Sequence, residues 1–216
     1  MRIDVFSDVV CPWCFIGKRR LDAALAASDV NGVEVRWHAF QLNPDLPRGG
    51  TDRRQYLEEK FGAVNIERIH ERVETAGREA GIRFRFDLIT RSPNTFDAHR
   101  LLCLAADQGR QGALKEALLS GYFLKGLDLD DHATLAAIAA GVGMQGDVRR
   151  WLAGSDGVEA VRADLAAGAR LGVTGVPFFI FAGRYAIPGA HPPEVFQQAL
   201  AAASALPDAG ELGPIG

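Results

Sequence analysis

Cys11 and Cys14 stand with two residues, Pro12 and Trp13, between them, directly behind a short apolar segment. Two sulfurs at this spacing reach disulfide geometry when the first caps a helix and the second lies one turn in. A helix N-terminus offers unpaired N–H groups and the positive end of a dipole, and both favour a thiolate at Cys11. Cys11 is therefore the expected nucleophile. Cys14 shares an apolar stripe with Leu21 and Leu25, which makes it the less exposed sulfur, suited to resolving a mixed disulfide. The chemistry on offer is reversible thiol–disulfide exchange.

Pro177 is the second feature with chemical content. It follows the β-branched Val176 and opens the apolar run Phe178-Phe179-Ile180-Phe181. A proline at a strand start loses no ladder hydrogen bond and takes the cis form at modest cost, so a cis Val176–Pro177 bond is expected. The Val176 backbone would then be free to pair with an extended substrate chain beside Cys11. A trans strand-opening proline is the plainer alternative.

Other residues admit both a chemical and a plain structural reading. His99 and Cys103 lie four apart and, with Cys11 and Cys14, would complete a Cys3His zinc set. Against this, Cys103 sits among Leu101, Leu102, Leu104 and Ala105, where a small buried thiol is ordinary core. His99 either faces the cleft or satisfies itself at the rim of a helical block. Trp13 either touches substrate or covers the helix start, and Gln41 and Asn43 either line the cleft or form turns before Pro44. Asp8 is either a like charge opposing the Cys11 thiolate or a strand-end residue. Lys18, Arg19 and Arg20 read as a solvated helix face.

The elements that must position these groups follow from periodicity. Ile3 and Val5 alternate with Asp4 and Phe6 as a strand, and the period changes to helical from Pro12. Val33, Val35 and Trp37 then alternate with Glu34, Arg36 and His38 as a second strand, completing a β-α-β unit. Gln41 to Asp52 holds Pro44, Pro47, Gly49 and Gly50, a loop composition that ends the unit and starts an insertion. The next hundred or so residues are helical in pattern. Ile66, Ile69, Val73, Ala76 and Ala80 run at spacings of three and four to a stop at Gly81. Asn94 with Asp97 resembles a capping box, and Asp130 or Asp131 caps the Leu135 to Ala140 helix. A helix bearing Val158, Val161 and Leu165 leads to the strand after Pro177, which suits burial on both faces. A hairpin at Ala182-Gly183 reaches an edge strand, and a last helix starts near Pro192. The order predicts the thioredoxin arrangement with an insert.

The chain has 216 residues, 48% hydrophobic and 24% charged, enough for a real core. A formal net charge of -3 offers no basic excess, so nucleic acid is not an expected partner. No segment approaches the roughly 20 apolar residues of a membrane span, and the start of the chain carries no secretory pattern. A soluble cytoplasmic protein is expected. Three cysteines are too few for a secreted disulfide framework, so the pair needs a chemical reason.

The segment Ser7-Asp8-Val9-Val10-Cys11-Pro12-Trp13-Cys14 with Gly17-Lys18-Arg19, together with Gly175-Val176-Pro177-Phe178-Phe179, resembles the cytoplasmic DsbA-like, FrnE-type oxidoreductases. Phe40-Gln41-Leu42-Asn43-Pro44, Asn94-Thr95 with Ala98-His99-Arg100, and Gly189-Ala190 before Pro193-Glu194 extend the match along nearly the whole chain. The resemblance implies an α/β, thioredoxin-like fold with a large all-helical insertion, exchange through the first cysteine and a cis-proline beside it. The expected division is 1–45 with 155–206 as the thioredoxin-like part, 46–154 as the inserted helical part and 207–216 as a flexible tail.

The same superfamily includes 2-hydroxychromene-2-carboxylate isomerases and kappa-class glutathione transferases, which look similar around Asn94 to Arg100 but carry serine where Cys11 stands. The retained cysteine favours a protein disulfide oxidoreductase or isomerase acting on protein or small-molecule thiols and disulfides. Cys11, Cys14 and Pro177 are its expected catalytic residues. Pro12, Trp13, Val176, Gln41, Asn43, Asn94, His99 and Arg100 are the expected substrate contacts. No metal or organic cofactor is expected, with glutathione open as a co-substrate. The alternative is a glutathione-dependent isomerase or transferase in which Asn94, His99 and Arg100 hold an acceptor.

Overall fold

The computed structural model describes residues 1–205, so the expected tail at 207–216 lies outside the described residues. The β-α-β unit consists of β1 (Arg2–Ser7), α1 (Pro12–Ala26) and β2 (Glu34–Ala39), with the strands parallel. β5 (Phe178–Phe181) pairs antiparallel with the other side of β1, and β6 (Tyr185–Pro188) forms the edge, so the sheet order is β2-β1-β5-β6. The Val176–Pro177 bond ahead of β5 is cis. α9 (Pro193–Ser204) returns to pack on α1.

Between β2 and β5 lie, in chain order, β3 (Thr51–Asp52), α2 (Arg53–Phe61), α3 (Ala63–Glu79), a 3-10 turn (Phe86–Leu88), β4 (Arg91–Ser92), α4 (Phe96–Asp107), α5 (Gln111–Lys125), α6 (His132–Gly141), α7 (Val148–Ala153) and α8 (Val158–Arg170). β3 and β4 pair as a two-stranded ribbon, which the Pro- and Gly-rich composition of Gln41 to Asp52 did not suggest. This is the DsbA-like thioredoxin fold with its helical insertion.

α1 is the element on which both cores meet. Leu21 and Ala24 pack with Ile3, Val5, Phe179 and Phe196 on the sheet side. Phe15 and Ile16, one to two turns earlier, pack with Val73, Leu101, Leu118 and Phe123 of the helical block. The first turn of α1, where the cysteines sit, is thereby clamped between the two. Lys18 is drawn into this seam, 7% exposed, and pairs with Asp22 at 2.7 Å and Glu116 of α5 at 3.0 Å. The solvated face expected for Lys18 is thus corrected: a long stem buries its methylenes where a partner carboxylate waits.

β5 alternates, with Phe179 and Phe181 fully buried and Phe178 and Ile180 only half-buried, so the expected burial on both faces belongs to β1 instead. Asp131 caps α6, accepting from the N–H groups of Ala133 and Thr134. The capping box at Asn94 does not form. Thr95 occupies the N-cap of α4 without a side-chain cap bond, Asn94 Oδ1 accepts from Phe96 N at 3.0 Å, and Asp97 turns to Arg100 and His132. A carboxylate gains more from a buried guanidinium than from one backbone N–H.

The face of β1 opposite α1 is closed by α8 through a charged cluster. His38 on β2 lies 2.9 Å from Asp4 of β1 and 2.7 Å from Asp164 of α8, whose second oxygen accepts from Ala39 N. Burial by itself would lower the His38 pKa, but the hydrogen bonds and charges of Asp164 and Asp4 outweigh it and push it up to about 9. A raised folded-state pKa stabilises fully below the unfolded value of 6.5 and is lost as pH rises through about 9. Urea denaturation of the wild type is therefore expected to show stability falling across this window, with the component absent from His38→Gln. Equal pH slopes for the two proteins would disprove the assignment.

Candidate functional site

Cys11 takes the N-cap of α1 with extended backbone (φ -93°, ψ 113°) and Pro12 follows in the first turn. Its Sγ accepts from Cys14 N at 3.3 Å, as a serine cap would, while its carbonyl accepts from Cys14 N at 3.1 Å. The same Sγ donates to the Val176 carbonyl at 3.7 Å, so the loop before Pro177 closes over the sulfur. α1 approaches this loop at Gly17, where a Cβ would meet Pro177 Cγ at 3.0 Å and the Phe179 ring at 3.1 Å. Glycine is needed there for close packing. Both cysteines are free thiols. Cys14 is fully buried, and burial first, then the neighbouring Cys11, pushes its thiol well above the usual range.

Asp8 anchors the turn that carries Cys11. Its fully buried carboxylate accepts from Val9 N at 2.8 Å and Leu42 N at 2.9 Å, and lies 3.2 Å from His99 Nε2. Burial alone would raise its pKa, but His99, the Leu42 N–H and the charge of Lys115 together hold it below the usual carboxylate range. His99 is 1% exposed, so it holds the active turn through Asp8 from behind and does not face the cleft.

The cleft beside Cys11 has a volume of about 260 Å³. Cys11, Pro12, Trp13, Val176 and Asn43 of the expected site residues line it. Gln41 and Asn94 do not. They bond to each other at 3.3 Å and line a separate pocket of about 110 Å³ with Arg48, Asp97 and Asp130. Arg100 is also withdrawn, 1% exposed and bound to Asp97 and to backbone carbonyls around the end of α7. The proposed zinc set is not assembled: among the described residues no group of three His, Cys, Asp or Glu could hold a metal ion. Cys103 is only partly buried and does not join the core expected of it, and burial, reinforced by Asp164 and Asp107, pushes its thiol up to about 12.

Several groups at the site escaped sequence reasoning. Arg53, Lys60 and His70 from α2 and α3 line the cleft, together with Tyr56, and no Asp or Glu lies among the described lining residues. Asn43 Oδ1 accepts from both Tyr56 OH and Lys60 Nζ, which fixes this basic wall to the loop after β2. Lys115 of α5, 0% exposed, was missed although a signal existed: it falls at helical spacing with Leu118, Leu119 and Tyr122 on the apolar face.

Residues 2–201 match the model of the DSBA-like thioredoxin domain family. A probable DsbA oxidoreductase from Streptomyces coelicolor is 35% identical and superimposes with a TM-score of 0.84, covering 100% of this chain and 97% of its own. A 2-hydroxychromene-2-carboxylate isomerase is 15% identical with a TM-score of 0.73, covering 94% and 96%. The cytosolic disulfide reductase DsbM from Pseudomonas aeruginosa, solved with GSH, is 21% identical with a TM-score of 0.63, covering 95% and 100%. The last two similarities are likenesses of fold. Among the described residues no helix is long and apolar enough to cross a membrane.

Proposed function

We infer that this chain, which belongs to the DSBA-like thioredoxin domain family, is a thiol–disulfide oxidoreductase or isomerase of the cytosol in which Cys11 attacks and Cys14 resolves. The observation that carries the reading is the Cys11 sulfur at the N-cap of α1, lining a cleft and bonded to Cys14 N, with Cys14 fully buried one turn behind it. The Cys11 thiolate attacks a substrate disulfide, forming a mixed disulfide and releasing one substrate thiolate. The Cys14 thiolate then attacks Cys11 Sγ, the bond to the second substrate sulfur breaks, and that sulfur leaves as thiolate. The protein ends oxidised and the substrate reduced by two electrons. The same two steps in reverse deliver a disulfide to a dithiol, so no bound cofactor is required.

Val176, held ahead of the cis bond to Pro177, lines the wall against which an extended peptide pairs, with Trp13 beside it. The cationic Arg53 and Lys60 in the lining suit disulfides with negative charge near the sulfur, glutathione mixed disulfides among them, while burial and the charge of Arg53 lower the pKa of the neighbouring His70 and keep it neutral. The likeness to DsbM supports glutathione as a co-substrate. For the glutathione-dependent isomerase or transferase, the fold likeness to the chromene carboxylate isomerase is consistent, but His99 and Arg100, its expected acceptor contacts, are each 1% exposed.

The test is reaction of the reduced wild-type chain with glutathione disulfide and with cystamine, followed by mass spectrometry, alongside insulin reduction and refolding of scrambled ribonuclease. One screened charge pair at roughly 4 Å contributes about 1 kcal/mol, so an advantage of about five-fold or more is expected for the anionic disulfide. It should shrink with added salt. A chain that forms no adduct and accelerates neither protein reaction would end this reading.

A further inference from the structure

α2 has no place in either core. None of its nine residues is buried, and none joins the two apolar clusters that meet on α1. Its polar residues pair along the helix, Arg54 with Glu58 at 2.8 Å and Gln55 with Glu59 at 2.9 Å. Its apolar residues, Tyr56, Leu57 and Phe61, all line the cleft beside Cys11. A helix this short draws its stability from packing an apolar face, yet this face lies over a cleft and Phe61 stays 40% exposed. Trp13, Ile69 and Phe86 line the same cleft, so its walls are largely apolar.

Arg53, the first residue of α2, supplies a polar counterpart. Its Nη1 donates to Tyr122 OH at 2.9 Å, and its guanidinium lies 5.8 Å from the Tyr122 ring centroid and 5.9 Å from that of Phe86. Among the described residues no carboxylate pairs with it, and its Nε and Nη2 make no hydrogen bond. Lys60 is turned to Asn43 and Tyr56 instead. A planar fork of N–H groups fits a carboxylate, and apolar walls fit the body that carries it. Glutathione matches the charge but not the walls, because its peptide groups would lose water against Leu57, Phe61 and Phe86 with little to replace it.

We propose, resting on the oxidoreductase reading above, that the preferred small substrates are disulfides of apolar thiols ending in a carboxylate, held by Arg53 and covered by the apolar face of α2. The Cys11 thiolate attacks one sulfur of such a disulfide and the S–S bond breaks. One half leaves as thiolate and the other stays on Cys11 as the mixed disulfide. Cys14 then displaces it, leaving the protein oxidised by two electrons and the substrate reduced to two thiols.

The test measures mixed-disulfide formation by the reduced chain in stopped flow. The probes are the symmetric disulfides of mercaptopropionate, mercaptohexanoate and mercaptohexanamide, with glutathione disulfide, each rate divided by that with free mercaptoethanol. Each methylene that becomes buried should raise the rate about three- to four-fold, so the hexanoate is expected to exceed the propionate about ten-fold or more, and glutathione disulfide as well. The neutral amide should fall about ten-fold below the hexanoate, the range for hydrogen bonds to a charged group. Arg53→Gln removes that gap, and Arg53→Lys restores only part of it, since lysine keeps the charge without the fork. Leu57→Ser, a change outside both cores, flattens the dependence on chain length and serves should the Arg53 variants fail to fold. A wild type with no rise along the chain series, or with the amide as fast as the acid, overturns this substrate class, and an adduct with glutathione disulfide would leave the oxidoreductase reading standing. A wild type that forms no mixed disulfide with any probe overturns both.

Discussion

Cys11→Ser is expected to lose insulin reduction and ribonuclease refolding by on the order of a thousand-fold or more, and Cys14→Ser to stop one step later with substrate still attached. The serine variant at position 11 is informative because it keeps the fold. Serine is a favoured N-cap, and its hydroxyl can accept from Cys14 N as the sulfur does at 3.3 Å. What disappears is a thiolate nucleophile, since a serine hydroxyl is not ionised near neutral pH. In Cys14→Ser the attack at Cys11 survives and a mixed disulfide with glutathione or protein accumulates, visible by mass spectrometry and released by dithiothreitol. With serine at position 14 the resolving thiol is gone, so the adduct is not attacked from that position. Comparable turnover by Cys11→Ser would move the weight to isomerase or transferase chemistry. An adduct found on Cys14 instead would reverse the two roles.

The second large effect is one of stability. Arg100→Leu is expected to destabilise the chain by about 3–5 kcal/mol in urea denaturation, the range for breaking a buried ion pair from one side. Its guanidinium lies 2.7 Å from Asp97 and donates to Leu152 O at 3.0 Å, Gly154 O at 2.8 Å and Asp156 O at 2.8 Å, with the Trp151 ring 5.1 Å away. These carbonyls come from the end of α7 and the loop into α8, which have no intrahelical donors of their own. Leucine leaves them unpaired and leaves Asp97 to His132 alone at close range. Lysine does not restore the site, because one ammonium cannot span donors arranged as a planar fork. KM for insulin and for glutathione disulfide should be unchanged in the folded variant. A raised KM with unaltered stability would return Arg100 to the substrate contacts first expected of it.

The cysteine pair and its setting were legible in the chain itself. Cys11 and Cys14 sit where a period of two gives way to a period of 3.6, and that change, with Pro12 at the helix start, is local information. The same holds for the β-α-β unit and for the strand that follows Pro177, and for an acidic cap at Asp130 or Asp131, between which only the structure chose Asp131. Local backbone preference and the pattern of apolar residues suffice for such features, because neighbours in sequence decide them.

Partnership among polar groups was decided only in three dimensions. Periodicity placed His99 and Arg100 on a helix without saying what lay opposite, and it passed over Lys115 altogether. Asp8, 91 positions away from His99, turned that imidazole into a support for the active turn. The end of α7, some 50 positions on, claimed Arg100. Asn94 looked equivalent to Asn43 in a loop reading, yet packing sent one to a side pocket and the other to the cleft. A buried charge is held by whichever compensating group the fold brings within a few ångströms, and that distance follows from how helices and sheet pack together, which one-dimensional spacing does not encode.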